Sequence, residues 1–420
     1  MLACGGATSA LVLSAMVVPT ALALPASSSG LRRAVEVTLP ASADLAIGGS
    51  VYGIGCAAAG DCAAGGGYTT TTDADEEAFV VSQVRGAWKP AVEVRLPSGA
   101  ASDPGAEVNG VACPATGDCV AVGAYETTSH VDMGFIVTES HGRWARATNV
   151  SVPKHAAASA LSQLNAVACT ARGSCEAVGD YLDSGSHGQA MAISEVAGRW
   201  RRATMIRMPR GALANPDAFP VSVTCVKAGD CMTAGSYEVG PYPDYVPMVA
   251  TQTRGRWLRA VAIREPKGAA PDGAAMNSVA CWSAGHCIGA GSYPVAANVG
   301  WPMAAIQSRS RWGRAAQETL FPARHVVGGY FDAISCRPAS GCVAAGGYQP
   351  TSTTFLPFTV AYASGRWRHA TAVKLPSGAA SAGAQDSGLY AISCVRDGFC
   401  AVGGYYHDRA GVYLPMVATT

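Results

Sequence analysis

Residues 167–181 read VACTARGSCEAVGDY. Cys169 and Cys175 enclose five residues, and a small apolar run leads on to Gly179 and Tyr181. In isolation such a segment suits a metal knuckle, a redox pair or a stapled turn. Its siblings narrow the choice. The pattern returns as IGCAAAGDCAAGGGY (54–68), VACPATGDCVAVGAY (111–125), VTCVKAGDCMTAGSY (223–237), VACWSAGHCIGAGSY (279–293), ISCRPASGCVAAGGY (334–348) and ISCVRDGFCAVGGYY (392–406). The seven copies recur every 55 to 58 residues, a period that belongs to repeat architectures. A second signature keeps the same beat, as in GRWARATNVSVP and GRWRRATMIRMP, around Trp88, Trp144, Trp200, Trp257, Trp312 and Trp367.

Each period holds four strand candidates, which in the third copy are LNAVAC, CEAVGDY, AMAISEVA and WRRATMIRM. Repeated seven times, this predicts an all-β fold, a seven-bladed β-propeller of four-stranded blades over residues 24–420. The missing seventh tryptophan signature is GLRRAVEVTLP at 30–40, with Leu31 in the Trp place, and the chain stops after the last copy's third strand, GVYLPMVATT. The N-terminal segment is therefore expected to supply the outer strand of the last blade. A ring closed in this way has no large open sheet edge, and a monomer is expected.

Composition agrees. Gly (49) and Pro (24) are abundant among the 420 residues, charged residues are only 14%, and the net charge is +1. That balance gives no electrostatic case for nucleic acid. Residues 1–23 read as a signal peptide ending in Ala21-Leu22-Ala23, which predicts secretion to the extracellular space or the cell wall. No later stretch is apolar for long enough to span a bilayer.

Fifteen cysteines minus Cys4 of the presumed leader leave seven pairs, as a secreted disulfide protein would have. The expected bridges are Cys56–Cys62, Cys113–Cys119, Cys169–Cys175, Cys225–Cys231, Cys281–Cys287, Cys336–Cys342 and Cys394–Cys400. Each pair lies at the base of a hairpin, where facing Cα atoms sit about 4.5–5.5 Å apart. Zinc wants four ligands in reach, and one pair per blade supplies two. A redox site wants a tighter, activated pair. No metal site and no cofactor are expected.

An in-phase Gly (Gly66, Gly123, Gly179, Gly235, Gly291, Gly346, Gly404) and Tyr (Tyr68, Tyr125, Tyr181, Tyr237, Tyr293, Tyr348, Tyr406) follow each second cysteine. Residues repeated in every blade are expected to serve the blade. The Gly-Arg-Trp turn resembles a degenerate form of the Asp-box turn of sialidase-type propellers. The combined pattern resembles secreted Cys-pair repeat propeller proteins of high-GC actinobacteria, a group of unassigned function. That resemblance covers nearly the whole mature chain; it implies the fold and is silent on ligand.

Function is expected where the copies differ. Four residues before each first cysteine, at the mouth of the central channel, stand Tyr52, Asn109, Asn165, Val221, Asn277, Asp332 and Tyr390. Asn and Asp can also simply satisfy backbone there. The loops between second and third strands of the later blades are long and aromatic, with Tyr242, Tyr245, Trp301, Phe355 and Tyr413 as candidates. Exposed Tyr and Trp beside Asn and Asp suit stacking on sugars or anchoring a protein, so a non-catalytic module for an extracellular glycan or protein is the expectation. The alternative is a glycan-active, sialidase-like hydrolase or lyase. That reading would want clustered arginines, a Tyr–Glu pair and an acid on this face. The carboxylates Asp103, Glu107, Asp217, Asp272, Asp332 and Asp386 are scattered in sequence, and the arginines concentrate in the Gly-Arg-Trp turns on the opposite face. Two carboxylates converging at the channel mouth would favour hydrolysis.

Overall fold

The computed structural model describes residues 30–71, 76–240, 244–270, 273–296, 299–321, 326–337, 341–351, 353–381, 383 and 385–420. The expected signal peptide lies outside them. The described residues form seven antiparallel sheets in sequence order. Their innermost strands, Gly49–Ala58, Glu107–Ala115, Ser162–Ala171, Phe219–Lys227, Ala275–Ser283, Gly328–Arg337 and Ser387–Cys394, neighbour one another around a ring, the last meeting the first. This is the seven-bladed propeller that the repeat predicts. Ring closure is also as expected: Val35–Glu36 pairs with Tyr413–Thr419, placing Val35 opposite Val417 and Glu36 opposite Met416.

The outer strand departs from expectation. Instead of one continuous strand, each of the first six blades carries two short pieces on the third strand, such as Arg199–Trp200 and Thr204–Met205 on Gly188–Val196. The residues between the pieces turn outward to the neighbouring blade. An in-phase alanine there donates its N–H to the preceding blade's outer strand at every seam, for example Ala147 to Arg95 O (2.9 Å), Ala203 to Ser151 O (2.8 Å) and Ala34 to Lys374 O (2.8 Å). One residue earlier, Arg33, Arg146, Arg202, Arg259 and Arg314 each donate a guanidinium N–H to a carbonyl of the preceding blade. The Arg-Ala of the Gly-Arg-Trp signature is thus a stitch between blades. The apolar cores follow the same logic. Each of the seven clusters joins two adjacent blades, so that Val120, Val122 and Ile136 of the second pack with Leu164, Tyr181 and Met191 of the third.

All seven expected disulfides are present. Their Cα atoms are 4.0–4.1 Å apart, closer than expected for facing hairpin residues. The pairs at Cys56 and Cys394 do not spend their N–H groups across the hairpin, donating instead to Ser393 Oγ and Ser335 Oγ of the adjacent blade. They therefore occupy the narrow, non-hydrogen-bonded kind of site.

The repeated glycine and tyrosine serve the blade. Tyr68, Tyr125, Tyr181 and Tyr406 are among the largest fully buried side chains, and Tyr125, Tyr293 and Tyr406 reach the outer strand at Asn149, Gln317 and Glu36. The glycine is required by contact: a Cβ on Gly179 would sit 1.9 Å from Gln163 O, and the same clash with an inner-strand carbonyl recurs in all seven copies at 1.8–2.1 Å. Gly179→Ala must push two strands apart, and the expected cost is about 2–4 kcal/mol, read from chemical denaturation with the disulfides intact.

Candidate functional site

The carbonyl that excludes a Cβ lies two residues before a bulge. Each inner strand slips register at the position four before its first cysteine. A bulged residue leaves the ladder and its side chain is re-aimed. The seven variable residues from Tyr52 to Tyr390 are therefore turned together into a central channel of about 810 Å³, which all seven line. Constant glycine, bulge and variable ring residue form one device repeated around the disk.

Three of the ring positions serve the frame. Asn109, Asn165 and Asn277 each donate Nδ2 to the carbonyl just before the next blade's ring residue, Leu164 O (3.2 Å), Pro220 O (3.1 Å) and Phe331 O (2.8 Å). Bulging leaves that carbonyl without a ladder partner, and the amide of the preceding blade supplies one.

The remaining positions break the symmetry. Tyr390 stacks on Tyr405 at 5.2 Å and lies 5.6 Å from Tyr52, while Tyr405 lies 5.5 Å from Tyr413. Asp386 accepts from Tyr405 Oη (3.0 Å) and Tyr413 Oη (3.3 Å), and Glu76 accepts from Tyr52 Oη (3.3 Å). Beside this row a recess of about 340 Å³ opens between the fifth, sixth and seventh blades, lined by Asn277, Tyr330, Asp332, Gln349, Phe355 and Tyr390 among others. Tyr330 lies 5.8 Å from Phe355, ring to ring. Four candidates from three successive repeats, Asn277, Asp332, Phe355 and Tyr390, thus meet in one recess, and Tyr52 and Tyr413 join them through the tyrosine row.

The electrostatics of this sector are acidic. Burial raises the Asp332 carboxyl to about 7, against the opposing effect of the Asn277 amide. Asp332 Oδ2 has no hydrogen-bond partner among the described residues. Burial and then the neighbouring Glu107 raise Glu76, and burial raises Glu107. The Tyr52, Tyr330 and Tyr405 phenols are all pushed upward, by burial first, and after it by nearby carboxylates for Tyr52 and Tyr330 and by the neighbouring phenols and then Asp386 for Tyr405. Burial likewise raises Tyr390 to about 12. Carboxylates that are scattered in sequence, Glu107, Asp332 and Asp386, are therefore gathered here with Glu76. The ion pairs among the described residues lie elsewhere, at Glu126, Asp118, Asp183 and Asp230.

The other candidates fall outside the cluster. Tyr245 bonds Asp217 (3.2 Å) and lies near Phe219 on the fourth blade. Trp301 packs against the core between the fourth and fifth blades. Tyr242 and Asp272 lie outside the described residues, and Val221 lines the channel as an apolar ring member. Sequence reasoning passed over Tyr330, Tyr405 and Glu76. One signal for Tyr405 was available: between the constant Gly and Tyr stands a single variable residue, Gly67, Ala124, Asp180, Ser236, Ser292, Gly347 or Tyr405. On the third blade that residue, Asp180, holds Gln163 and Asn165, and burial raises it to about 6.

A pH dependence of stability follows. Asp332 and Glu318 are raised to about 7 and Asp180 to about 6, in each case chiefly by burial. Between about pH 4 and 7 the folded state therefore binds more protons than the unfolded chain, and stability falls as pH rises through this window. The melting temperature is expected to be higher at pH 5 than at pH 8, and Asp332→Asn is expected to flatten the slope. Calorimetry on the oxidised protein checks both.

Comparison with known proteins places the fold. No family model matches the chain, and no curated protein matches it. Among solved structures it is similar to an ulvan lyase of a polysaccharide lyase family (TM-score 0.51, 10% identity, 91% of this chain and 95% of that one), solved bound to a GlcA(1-4)Rha3S unit. It is also similar to Trypanosoma rangeli sialidase in complex with sialic acid (TM-score 0.49, 10% identity, 93% of this chain) and to a protein of unknown function from Dyadobacter fermentans (TM-score 0.44, 11% identity, 93% of this chain and 98% of that one). The chain spans 59% of the sialidase's length. At these identities the likeness is one of fold. The fold is shared with the ulvan lyase over nearly the whole length of both chains.

Proposed function

We propose that the protein is a secreted, non-catalytic module that binds an uncharged or cationic extracellular glycan at the channel mouth between its fifth, sixth, seventh and first blades. The carrying observation is the recess where Tyr330, Phe355 and Tyr390 meet Asn277, Gln349 and Asp332. Flat aromatic faces bury the apolar face of a sugar ring, and amide and carboxyl groups bond its hydroxyls. Seven disulfides fit an oxidising compartment, and no helix among the described residues is long and apolar enough to cross a membrane. A sialylated or sulfated chain would meet carboxylates without a compensating arginine among their described partners, so anionic glycans are expected to be rejected.

The hydrolase reading has two specific observations in its favour, the hydrogen bond from Tyr52 to Glu76 and the approach of a second carboxylate, Glu107, to Glu76 at this mouth. Against it, burial and the two glutamates push the Tyr52 phenol up, which holds its proton on and opposes its use as a nucleophile. A glycan array with the oxidised protein, followed by product analysis on every hit, tests the proposal. Retention of intact uncharged or amino-bearing chains is expected. Binding confined to sialylated or sulfated chains, or cleavage of a hit, would overturn it.

A further inference from the structure

Asp332 is the unusual member of the site. It lines both the channel and the side recess, yet among the described residues its carboxyl has one side-chain partner, Asn277 Nδ2 at 3.4 Å from Oδ1. Oδ2 is buried and unpartnered. A buried carboxyl without a full set of partners is costly, and the ring position that Asp332 occupies is filled by Asn in three other blades, where the amide stitches blades together. An ionised aspartate only accepts and cannot make that stitch. What faces it is neutral or negative: Asn277, the phenols of Tyr330 and Tyr390, and Asp386 beyond them. The recess therefore has aromatic faces and a carboxyl, which is the combination that attracts a compact cation. Rotation about the terminal torsion of Asp332 can present either oxygen.

Resting on the glycan reading above, we infer that the recess takes the protonated amine of an amino sugar, with the ammonium against Asp332 and the pyranose ring against Tyr330, Phe355 and Tyr390. Ammonium and carboxylate supply the partner that each lacks, and Gln349 and the Asn277 side-chain oxygen are left for ring hydroxyls, the Asn277 Nδ2 being held by Phe331 O. Burial holds the Asp332 carboxyl near 7, so docking of a cation draws its proton off to solvent and completes the pair. An N-acetylated sugar has no charge to place there and leaves the carboxyl as it was.

The test is calorimetric titration at pH 7 of the oxidised full chain with a β-1,4-linked glucosamine hexamer, its fully N-acetylated counterpart and a lysine pentapeptide. The glucosamine hexamer is expected to bind at least tenfold more tightly than the acetylated one. Asp332→Asn, which keeps size and polarity, is expected to bring the two within about twofold, whereas a merely structural role would weaken both alike. Should that variant misfold, salt gives a second reading on the native protein: raising it from about 50 to 500 mM weakens the glucosamine hexamer selectively. Equal affinity for both hexamers would overturn the amine assignment and leave the glycan reading standing. Binding of the peptide but of neither hexamer would overturn both.

Discussion

Removal of residues 30–40 is expected to leave a protein that melts about 5 °C or more lower and aggregates on heating. The loss can be followed group by group. The backbone bonds Arg32 N to Thr419 O, Ala34 N to Lys374 O and Val37 N to Pro415 O disappear, and with them the pairing of Val35 and Glu36. Tyr406 loses its partner Glu36, and Leu375 O loses Arg33. Ala34 and Val37 leave two different core clusters, on either side of the last blade. At about 1 kcal/mol for each backbone bond and about 1–2 kcal/mol for the valine, the direct cost is about 4–5 kcal/mol. The larger consequence is topological, because Tyr413–Thr419 becomes an open edge able to pair with another copy. Scanning calorimetry with light scattering measures both. An unchanged melting temperature would show that the ring does not depend on this clasp.

Reduction is the second large effect. Each bridge spans a sequence separation of 6, so loop closure contributes about 2 kcal/mol apiece in the chain-entropy account. The seven bridges do not add independently, since each also fixes the inner strand that packs on its neighbour. A fall in melting temperature of about 10 °C or more is expected with dithiothreitol, against about 2 °C for replacement of the Cys169–Cys175 pair alone. Peptide mapping without reductant is expected to return only intra-repeat links. Full stability under reducing conditions would mean that the inner hairpins are held by packing alone.

The frame was legible in the sequence because it is repeated. A beat of cysteine pairs set blade number, hairpin position and disulfide partners, and Leu31 in the place of a tryptophan located the clasp. The two-piece outer strand was not legible: Arg202 and Ala203 look like strand residues until the neighbouring carbonyls Val152 O and Ser151 O are in view. The ring position was found from the cysteine offset, yet its residues divide by role only in three dimensions. Asn109 and Asn165 turned out to be stitches, while Asp332 and Tyr390 face the recess. Phe355 and Tyr390 come from different blades, and no local pattern announces that they share a pocket. Tyr330 was missed because its backbone carbonyl does the repeated work, packing on Gly346, while its side chain belongs to this sector alone. Variation at a position whose neighbours are constant was the available clue.

In the proposed function, recognition occurs at the mouth bearing the tyrosine row and not at the opposite end of the channel. Tyr390 is exposed and can take the asparagine that other blades carry there, and Arg396 lines the same channel among the residues that follow the last blade's first cysteine. The direct measurement is titration of one array-identified glycan into the native protein, Tyr390→Asn and Arg396→Ala. The expected result is a loss of at least tenfold for Tyr390→Asn, equivalent to about 1.4 kcal/mol, with Arg396→Ala unchanged. Native affinity in Tyr390→Asn together with a loss in Arg396→Ala would contradict the account.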